Sequence, residues 1–539
     1  MTLKSSESPS VTVREIDLTG IVPAVTSTTG AIVGEFNWGP VNTPILIGNE
    51  SELASTFGSP LAGDAYAGDF ISASYFLKYS SSAFVVRADR PDIPEVPAVL
   101  DSDGTEVTPL VPAILGYRKS SASVFEAKYF GELGNTITVS VADATSFPTW
   151  EFEGFFTTAP IGDELHVIVT LGYVAEIVDS AGEVVVAAKL GDVVETYEFV
   201  STDPNAKTPN GSNNFVSDVI TKDSSWITVS GVPAAGTSEL TGGSDGNPVG
   251  TVTEYVSAYD AFLNKEAIQI DFLIPPAGGQ GSVQTIHQKL VEIATSRKDC
   301  VTVISPTSGD ADSMVEYIKT TLNQDSSYLI VDGNWFKVYN KYQDKYEFIP
   351  AASSTAGVMA AADAVSAPWY SPAGSRRGQY VGVTELLINP SKTERDKLYK
   401  NGINPIVSIP GQGVMLYGDK THQARPSAFD RINVRRLFLV IERAISEAGE
   451  NVMFEFNDEF TRAEFVNIVE PFLREIQGRR GITDFRVVCD DTNNTAEVVD
   501  RNEFIATCFI KPARSINYVT LNFVAVRTGV EFEEVVGTV

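Results

Sequence analysis

The most constraining feature of the sequence is a helix–strand alternation that starts, breaks off and starts again. Residues 69–80, DFISASYFLKYS, read as a short amphipathic helix that runs into the apolar strand AFVVRA at 83–88, the mark of an α/β unit. From Thr253 the pattern returns, with TEYVSAYDAFLNKE as helix, IQIDFLIPP as strand, VQTIHQKLVEIATSRK as helix and CVTVISP as strand. These strands are apolar along their length, as parallel strands covered on both faces are. Residues 1–90 and 253–539 are therefore expected to form one layered α/β body, and what lies between to be an insertion.

The intervening segment has another texture. PDIPEVPAVLDSDGTEVTPLVP is rich in Pro and Asp and reads as a linker or exposed loop. Up to Gly250, short β-runs such as NTITVSV, HVIVTLGYVAEIV and EVVVAA are separated by Gly, Asn and Asp turns, the pattern of an all-β domain. Charge separates it too: residues 91–250 hold 6 Lys and Arg against 23 Asp and Glu, so they carry most of the chain's net charge of −29.

That charge bounds function. A surface so acidic is repelled by a phosphate backbone, so nucleic acid is not expected as a direct partner. No apolar run reaches the ~20 residues that span a bilayer, so membrane insertion is not expected. The opening MTLKSSESPSV has neither a basic nor an apolar signal region, and the chain is expected to accumulate in the cytoplasm. Cys300, Cys489 and Cys508 lack metal-ligand spacing and read as buried thiols. At 539 residues, several domains are expected.

The C-terminal part reads as a contact region. Residues 425–539 contain 13 Arg and one Lys against 19 acids, and Arg suits planar, bidentate pairing at interfaces. INVRRLFLVIERAISEAG places Leu437, Ile441, Ile445 and Ala448 on one helical face. Its neighbours Arg435 and Arg436 project about 100° apart, so one of them is expected to stay free for a partner. TRAEFVNIVEPFLREIQG reads as a helix opening on a capping box, Thr461 to Glu464, and stopping at Gly478, with Arg479 and Arg480 as C-terminal caps or contacts. Both chain ends are strand-like, with Val11 and Val13 on one face of SVTVREI and Val530 and Phe532 in VEFEEVV. Terminal strands need a sheet from elsewhere.

No catalytic constellation emerges. Gly413-Val-Met-Leu-Tyr-Gly418-Asp419-Lys420-Thr421 nearly matches a phosphate-binding loop, but Asp419 sets a negative charge where phosphate would sit. His166, His287 and His422 lie in no metalloprotease or serine-elbow motif and read as structural. The Asp101-Ser-Asp103-Gly104 run lacks the remaining ligands of a calcium loop, and Leu240 to Gly246 reads as a turn. No cofactor or metal is implied.

Several segments, in order, resemble contractile phage tail sheath proteins. They are VTVREIDLTGIVPAVTSTTGAIVGEFNWGPVNTPILI at the start, Ala127 to Asn135 (AKYFGELGN), Glu195-Thr-Tyr197, the Leu240 to Gly246 turn and Pro368 to Gly378. The series closes with Ile432 to Leu437, Phe454-Glu-Phe456-Asn457, Cys489-Asp490 and Asn493-Asn494-Thr495. The single compact insertion departs from the family pattern and leaves the number of outer domains open. The resemblance implies a multidomain α/β (α+β) chain. Its expected parts are an N-terminal arm (1–20), a central subtilisin-like body (21–90 with 251–395), a β-rich outer insertion (91–250), a tube-proximal C-terminal domain (396–517) and a C-terminal strand and arm (518–539).

It also implies a structural subunit, not an enzyme, that forms hexameric rings stacked helically around a tail tube protein, meets baseplate and tail terminator proteins, and contracts as part of a virion tail. Arg435, Arg436, Arg479 and Arg480 would face the tube or a neighbouring subunit. Val11, Val13, Val530 and Phe532 would be exchanged strands. The alternatives are the sheath of a phage-derived injection particle and a subtilisin-like hydrolase.

Overall fold

The structure is a computed structural model that describes residues 28–60, 67–89, 99–100, 106–107, 119–172, 177–178, 184–186, 191–245, 252–277, 283–306 and 309–517. It divides into two compact units. The larger comprises Pro23–Pro368 and Pro372–Ser446; the described part of the smaller is Trp369–Ser371 and residues 447–517.

The larger unit is organised by a seven-stranded sheet. Its strands are β1 (Gly30–Gly34), β2 (Ile45–Ile47), β3 (Ala83–Arg87), β4 (Phe272–Ile274), β5 (Val301–Ile304), β6 (Leu329–Asp332) and β7 (Ile403–Asn404). They lie in the order β2-β3-β1-β4-β5-β6-β7, parallel except for the edge strand β2. The interrupted alternation therefore closes as expected: β1 pairs with β3 on one side and with β4, from beyond the insertion, on the other.

Side chains alternate across the sheet with the two-residue period of a strand. Ile32, Phe272, Ile274, Val301 and Val303 pack into a core with helices α1 (Ala67–Leu77) and α4 (Ala352–Val365). Ala31, Val33 and Leu273 pack into a second core with α2 (Val252–Tyr259) and α3 (Val283–Arg297). Gly30 lets α1 come close, since a Cβ there would lie 2.6 Å from Cε1 of Phe76.

The β-rich segment is built of antiparallel sheets. Asp192–Ser201, Glu164–Leu171, Ile137–Ala142 and Gly236–Glu239 form one in that order, and Ile227–Val229 pairs with Phe125–Ala127 in another. Its core takes in a residue from outside the segment. Trp38, buried among Phe125, Val139, Val167 and Ile227, stacks on Trp226 at 5.1 Å and meets Tyr129 edge-on at 5.4 Å. Buried Arg87, at the end of β3, donates to the carbonyls of Gly39 (3.1 Å) and Phe130 (3.0 Å). The segment shares its core with the chain that precedes it.

A second boundary also differs from the expectation. The division at 396, implied by the resemblance, falls inside the helix Lys392–Lys400, and the core continues past it. Leu398 and Ile403 pack with Leu329 and Val331, and Ile432 and Leu439 of α5 (Ile432–Glu450) join the core that holds α1 and α4. The separate C-terminal unit begins only at Glu447, inside the last turn of α5.

At the end of β6, Asp332 ties the sheet to α4. Its carboxylate accepts from Ser305 (2.7 Å) and Thr355 (2.8 Å), and Ser305 in turn accepts from the Ala352 amide at 2.9 Å. Burial pushes this carboxyl up to about 7, against the downward pull of those hydroxyls. In the unfolded chain an Asp binds its proton only below about 3.9. The native state therefore holds a proton that the unfolded state has lost, so stability contributed by this group is full below about pH 4 and falls as pH rises through 7. His287 works in the opposite sense, since burial pushes its imidazole down to about 3 and the native state refuses a proton the unfolded state takes. The Asp332 effect is thus read as a difference between proteins. Asp332→Asn is expected to gain about 4 kcal/mol on the parent between about pH 4 and pH 7 and nothing further above. Urea unfolding at stepped pH measures it, and a pH-independent difference would refute the assignment.

Candidate assembly surfaces

Neither Arg435 nor Arg436 is available to a partner, contrary to the expectation from helix geometry. Arg435 is 5% exposed and Arg436 4%. Arg436 forks onto Asp363 of α4, with Nη1 on Oδ1 at 2.7 Å and Nη2 on Oδ2, and donates to the Met359 carbonyl at 3.1 Å. Arg435 lies over the rings of Phe429 (3.9 Å) and Tyr328 (4.4 Å) and donates to Ser327 at 2.8 Å. Two turns on, Arg443 pairs with Asp271 at 2.8 Å and donates to the Asp299 carbonyl at 3.0 Å. The 100° between the two residues does take them off the apolar stripe, but both directions are walled, one by a carboxylate and one by aromatic rings. A flat guanidinium, weakly hydrated, tolerates such sites.

The smaller unit is built on α6 (Glu459–Gly478), which packs against β8 (Ile482–Val488) of an antiparallel ribbon completed by β9 (Thr507–Pro512). The helix starts earlier than the capping-box reading placed it: Asp458 is the N-cap and accepts from the Thr461 amide at 2.9 Å. A carboxylate caps as well as a hydroxyl and also meets the helix dipole.

The C-terminal end closes as a Schellman motif. Arg480 donates to the Gln477 carbonyl (3.0 Å) and Gly481 to that of Ile476 (2.9 Å), with Arg480 at φ +65°. The left-handed residue that usually is glycine is here an arginine. Arg479, next to it, lies over the Trp369 ring at 4.9 Å and reaches Glu475 at 3.5 Å, while its carbonyl accepts from Trp369 Nε1 at 3.1 Å. Arg479 and Arg480 are both exposed.

The ribbon has two unlike faces. Phe485, Val487, Cys508 and Ile510 are half-buried, whereas Arg486 and Phe509 face each other across the register on the exposed side, beside the Asp484–Lys511 pair at 3.0 Å. Among the described residues this sheet has two strands. Val11, Val13, Val530 and Phe532, the expected exchanged strands, lie outside the described residues.

One surface was missed by sequence reasoning. Met453, Phe454, Phe456 and Phe460 are exposed in the turn that precedes α6 and in its first turn. Phe454 sits at φ +70°, a conformation unfavourable for an aromatic residue. Below them, Asn457 Nδ2 donates to the Glu503 carbonyl (2.7 Å) and to Asn494 Oδ1 (3.2 Å), which pins the turn to the loop before β9. The available signal was VMFEF, four apolar residues in five just ahead of the Asp458 N-cap, where polar turn residues are the rule.

The other candidate chemistry resolves into structure. Gly413–Leu416 is a strand of a hairpin with Ile406–Ile409, and Asp419 pairs with Arg431 at 2.9 Å. His287 meets the Tyr317 hydroxyl at 2.8 Å inside the core, and His166 stacks on Phe156 at 4.3 Å. Burial raises all three thiols. Among the described residues no group of His, Cys, Asp and Glu could hold a metal ion, and no helix is long and apolar enough to cross a membrane.

Comparison with known proteins accounts for nearly the whole chain. Residues 248–422 match the phage tail sheath protein central domain, 424–525 the phage tail sheath C-terminal domain and 27–88 the tail sheath protein Gp18 domain III N-terminal region. The chain is 32% identical to the tail sheath protein of Salmonella phage ViI, with 98% of each chain covered. The sheath tail protein of Listeria innocua shares the fold at a TM-score of 0.58 and 15% identity, over 92% of this chain and 94% of that one. The helical sheath of the anti-feeding prophage in its contracted state does so at 0.55 and 12% identity, over 96% and 99%.

The internal role of Arg436 has a measurable consequence. Arg436→Ala leaves Asp363 buried without its fork and should cost about 3–5 kcal/mol. Arg480→Gly, which places a permissive residue at positive φ, should instead stabilise by up to about 1 kcal/mol. Denaturant unfolding of the monomeric chain tests both, and an Arg436→Ala cost under about 1 kcal/mol would contradict the clasp.

Proposed function

The chain belongs to the phage tail sheath protein family, and from that premise we propose how it works: as a contractile sheath subunit that polymerises in stacked hexameric rings around a tail tube and drives the tube through a host envelope. The observation that carries this reading is the full-length relationship to a phage tail sheath protein, 32% identical with 98% of each chain covered. Its site is a set of surfaces, and its mechanism is a change of packing. No nucleotide is needed if the extended lattice is held behind a kinetic barrier and each subunit gains contacts on reaching the contracted one.

The smaller unit supplies the joint. A two-stranded ribbon is marginal by itself and offers edges to further strands. Residues 1–20 and 518–539 are strand-like in sequence, and as arms they would add to the ribbon of a neighbouring subunit by β-augmentation. Main-chain hydrogen bonds would then link copies while their bodies shift. Arg479 and Arg480 stay candidates for contacts with the tube or an adjacent subunit; Arg435 and Arg436 do not. Tail tube, baseplate and tail terminator proteins are the partners this role requires, and the virion tail its location, with assembly in the host cytoplasm.

The purified chain, alone or with a tube protein, should give hollow striated tubes in electron micrographs. Deleting 1–20 or 518–539 should leave a folded, soluble body that forms none. Tubes from either truncation would eliminate strand exchange as the linkage, and failure of the full chain to polymerise under any tube-supplied condition would eliminate the sheath reading.

A further inference from the structure

We infer that the aromatic turn at 453–460 is the plug of a contact between copies of this chain, received by the exposed face and end of the β8–β9 ribbon of a second copy; this rests on the sheath reading. Three observations converge. The first is exposure: Met453, Phe454, Phe456 and Phe460 project from one short stretch, and large apolar side chains gathered this way mark an interaction site. The second is preorganisation. Phe454 is held at φ +70°, and strain of this kind persists only where surrounding structure imposes it, here through the Asn457 bonds to Asn494 and Glu503. A rigid aromatic anchor loses little entropy on docking.

The third is charge, which selects the occupant. The plug is rimmed by exposed acids, Glu450, Glu455, Asp458 and Glu459. With a net charge of −29, most of another copy's surface would repel it. The ribbon is different. Its exposed side carries Arg486 opposite Phe509, and at its end the Gly481 carbonyl accepts from the Ala513 amide (3.0 Å), bringing Arg480 and Arg514 to the same place, followed by exposed Ile516. Apolar groups set among arginines complement apolar groups set among acids. Two unlike patches on one chain make a heterologous contact, which propagates into rings or helices where a two-fold contact would stop at a dimer.

Phe454→Gly separates the side chain from the fold, because glycine is at ease at positive φ. The full-length variant should melt no earlier than the parent, yet the concentration for half-polymerisation should rise about tenfold or more, as loss of a central aromatic anchor does. Charge reversal then identifies the receiver. Glu450→Arg with Glu455→Arg should block polymerisation, as should Arg486→Glu with Arg514→Glu. An equimolar mixture of the two variants should polymerise again, since every contact in an alternating arrangement has opposite charges. Unchanged polymerisation of Phe454→Gly overturns the inference while leaving the sheath reading intact. So does a mixture that stays monomeric although both variants fold, or a variant that self-assembles normally and loses only tube binding. A parent chain that never polymerises is a failure of the sheath reading instead.

Discussion

The bidentate pair between Arg436 and Asp363 is the constraint on which the C-terminal half depends. Both side chains are 4% exposed, so each charge is tolerable only because the other is present. An apolar pair of the same volume could hold α5 against α4 with similar strength, but it would accept small slides and rotations. The fork does not, because two parallel hydrogen bonds fix both position and angle. Arg443 on Asp271 repeats the device two turns later, so α5 is located at two points along its length before it leaves the larger unit. In a subunit proposed to work by repacking against neighbours, a helix that cannot slip within its own unit passes displacement on instead of absorbing it.

The fold was legible where burial writes itself into periodicity. Ala83–Arg87, Phe272–Ile274 and Val301–Ile304 are buried strands, and the near-continuous apolar runs from which they were read are what burial of both faces requires. It was illegible where a single side chain decides. Nothing in the spacing around Trp38 tells that its indole completes the core of a segment beginning over fifty residues later. Nor does composition show that residue 396 lies in a helix, Lys392–Lys400, whose Leu398 belongs to a core continuous with the strands before it.

The surfaces were harder to read, and for a physical reason. Charge predicts exposure for most Lys and Glu, but Arg435 and Arg436 combine charge with a flat, weakly hydrated head, and their sequence could not show the rings and carboxylate awaiting them. The converse case is Phe454 and Phe456, which the sequence offered only within a family motif and which stand exposed. At the end of α6 the glycine expected to stop the helix is its last residue, and the left-handed position falls to Arg480. Backbone closure there depends on Gly481, where a Cβ would come within 2.6 Å of Ile476 Cγ2, so the glycine is used for closeness and the arginine bears the strain.

The pairing of β1 with β4 also sets the order in which the chain can come together on a ribosome. β1, β2 and β3 emerge early and can pair among themselves, but the partner for the other edge of β1 is encoded at residue 272. At typical translation speeds of ~5–20 residues per second, that apolar edge waits roughly ten to fifty seconds, while the β-rich segment is made and closes its core around Trp38. The segment thus matures as a folded neighbour on an unfinished sheet. High contact order of this kind makes nascent chains slow to close and open to mispairing. A virus-sized lattice needing many copies would therefore meet its first quality control at the ribosome exit, before any subunit finds another.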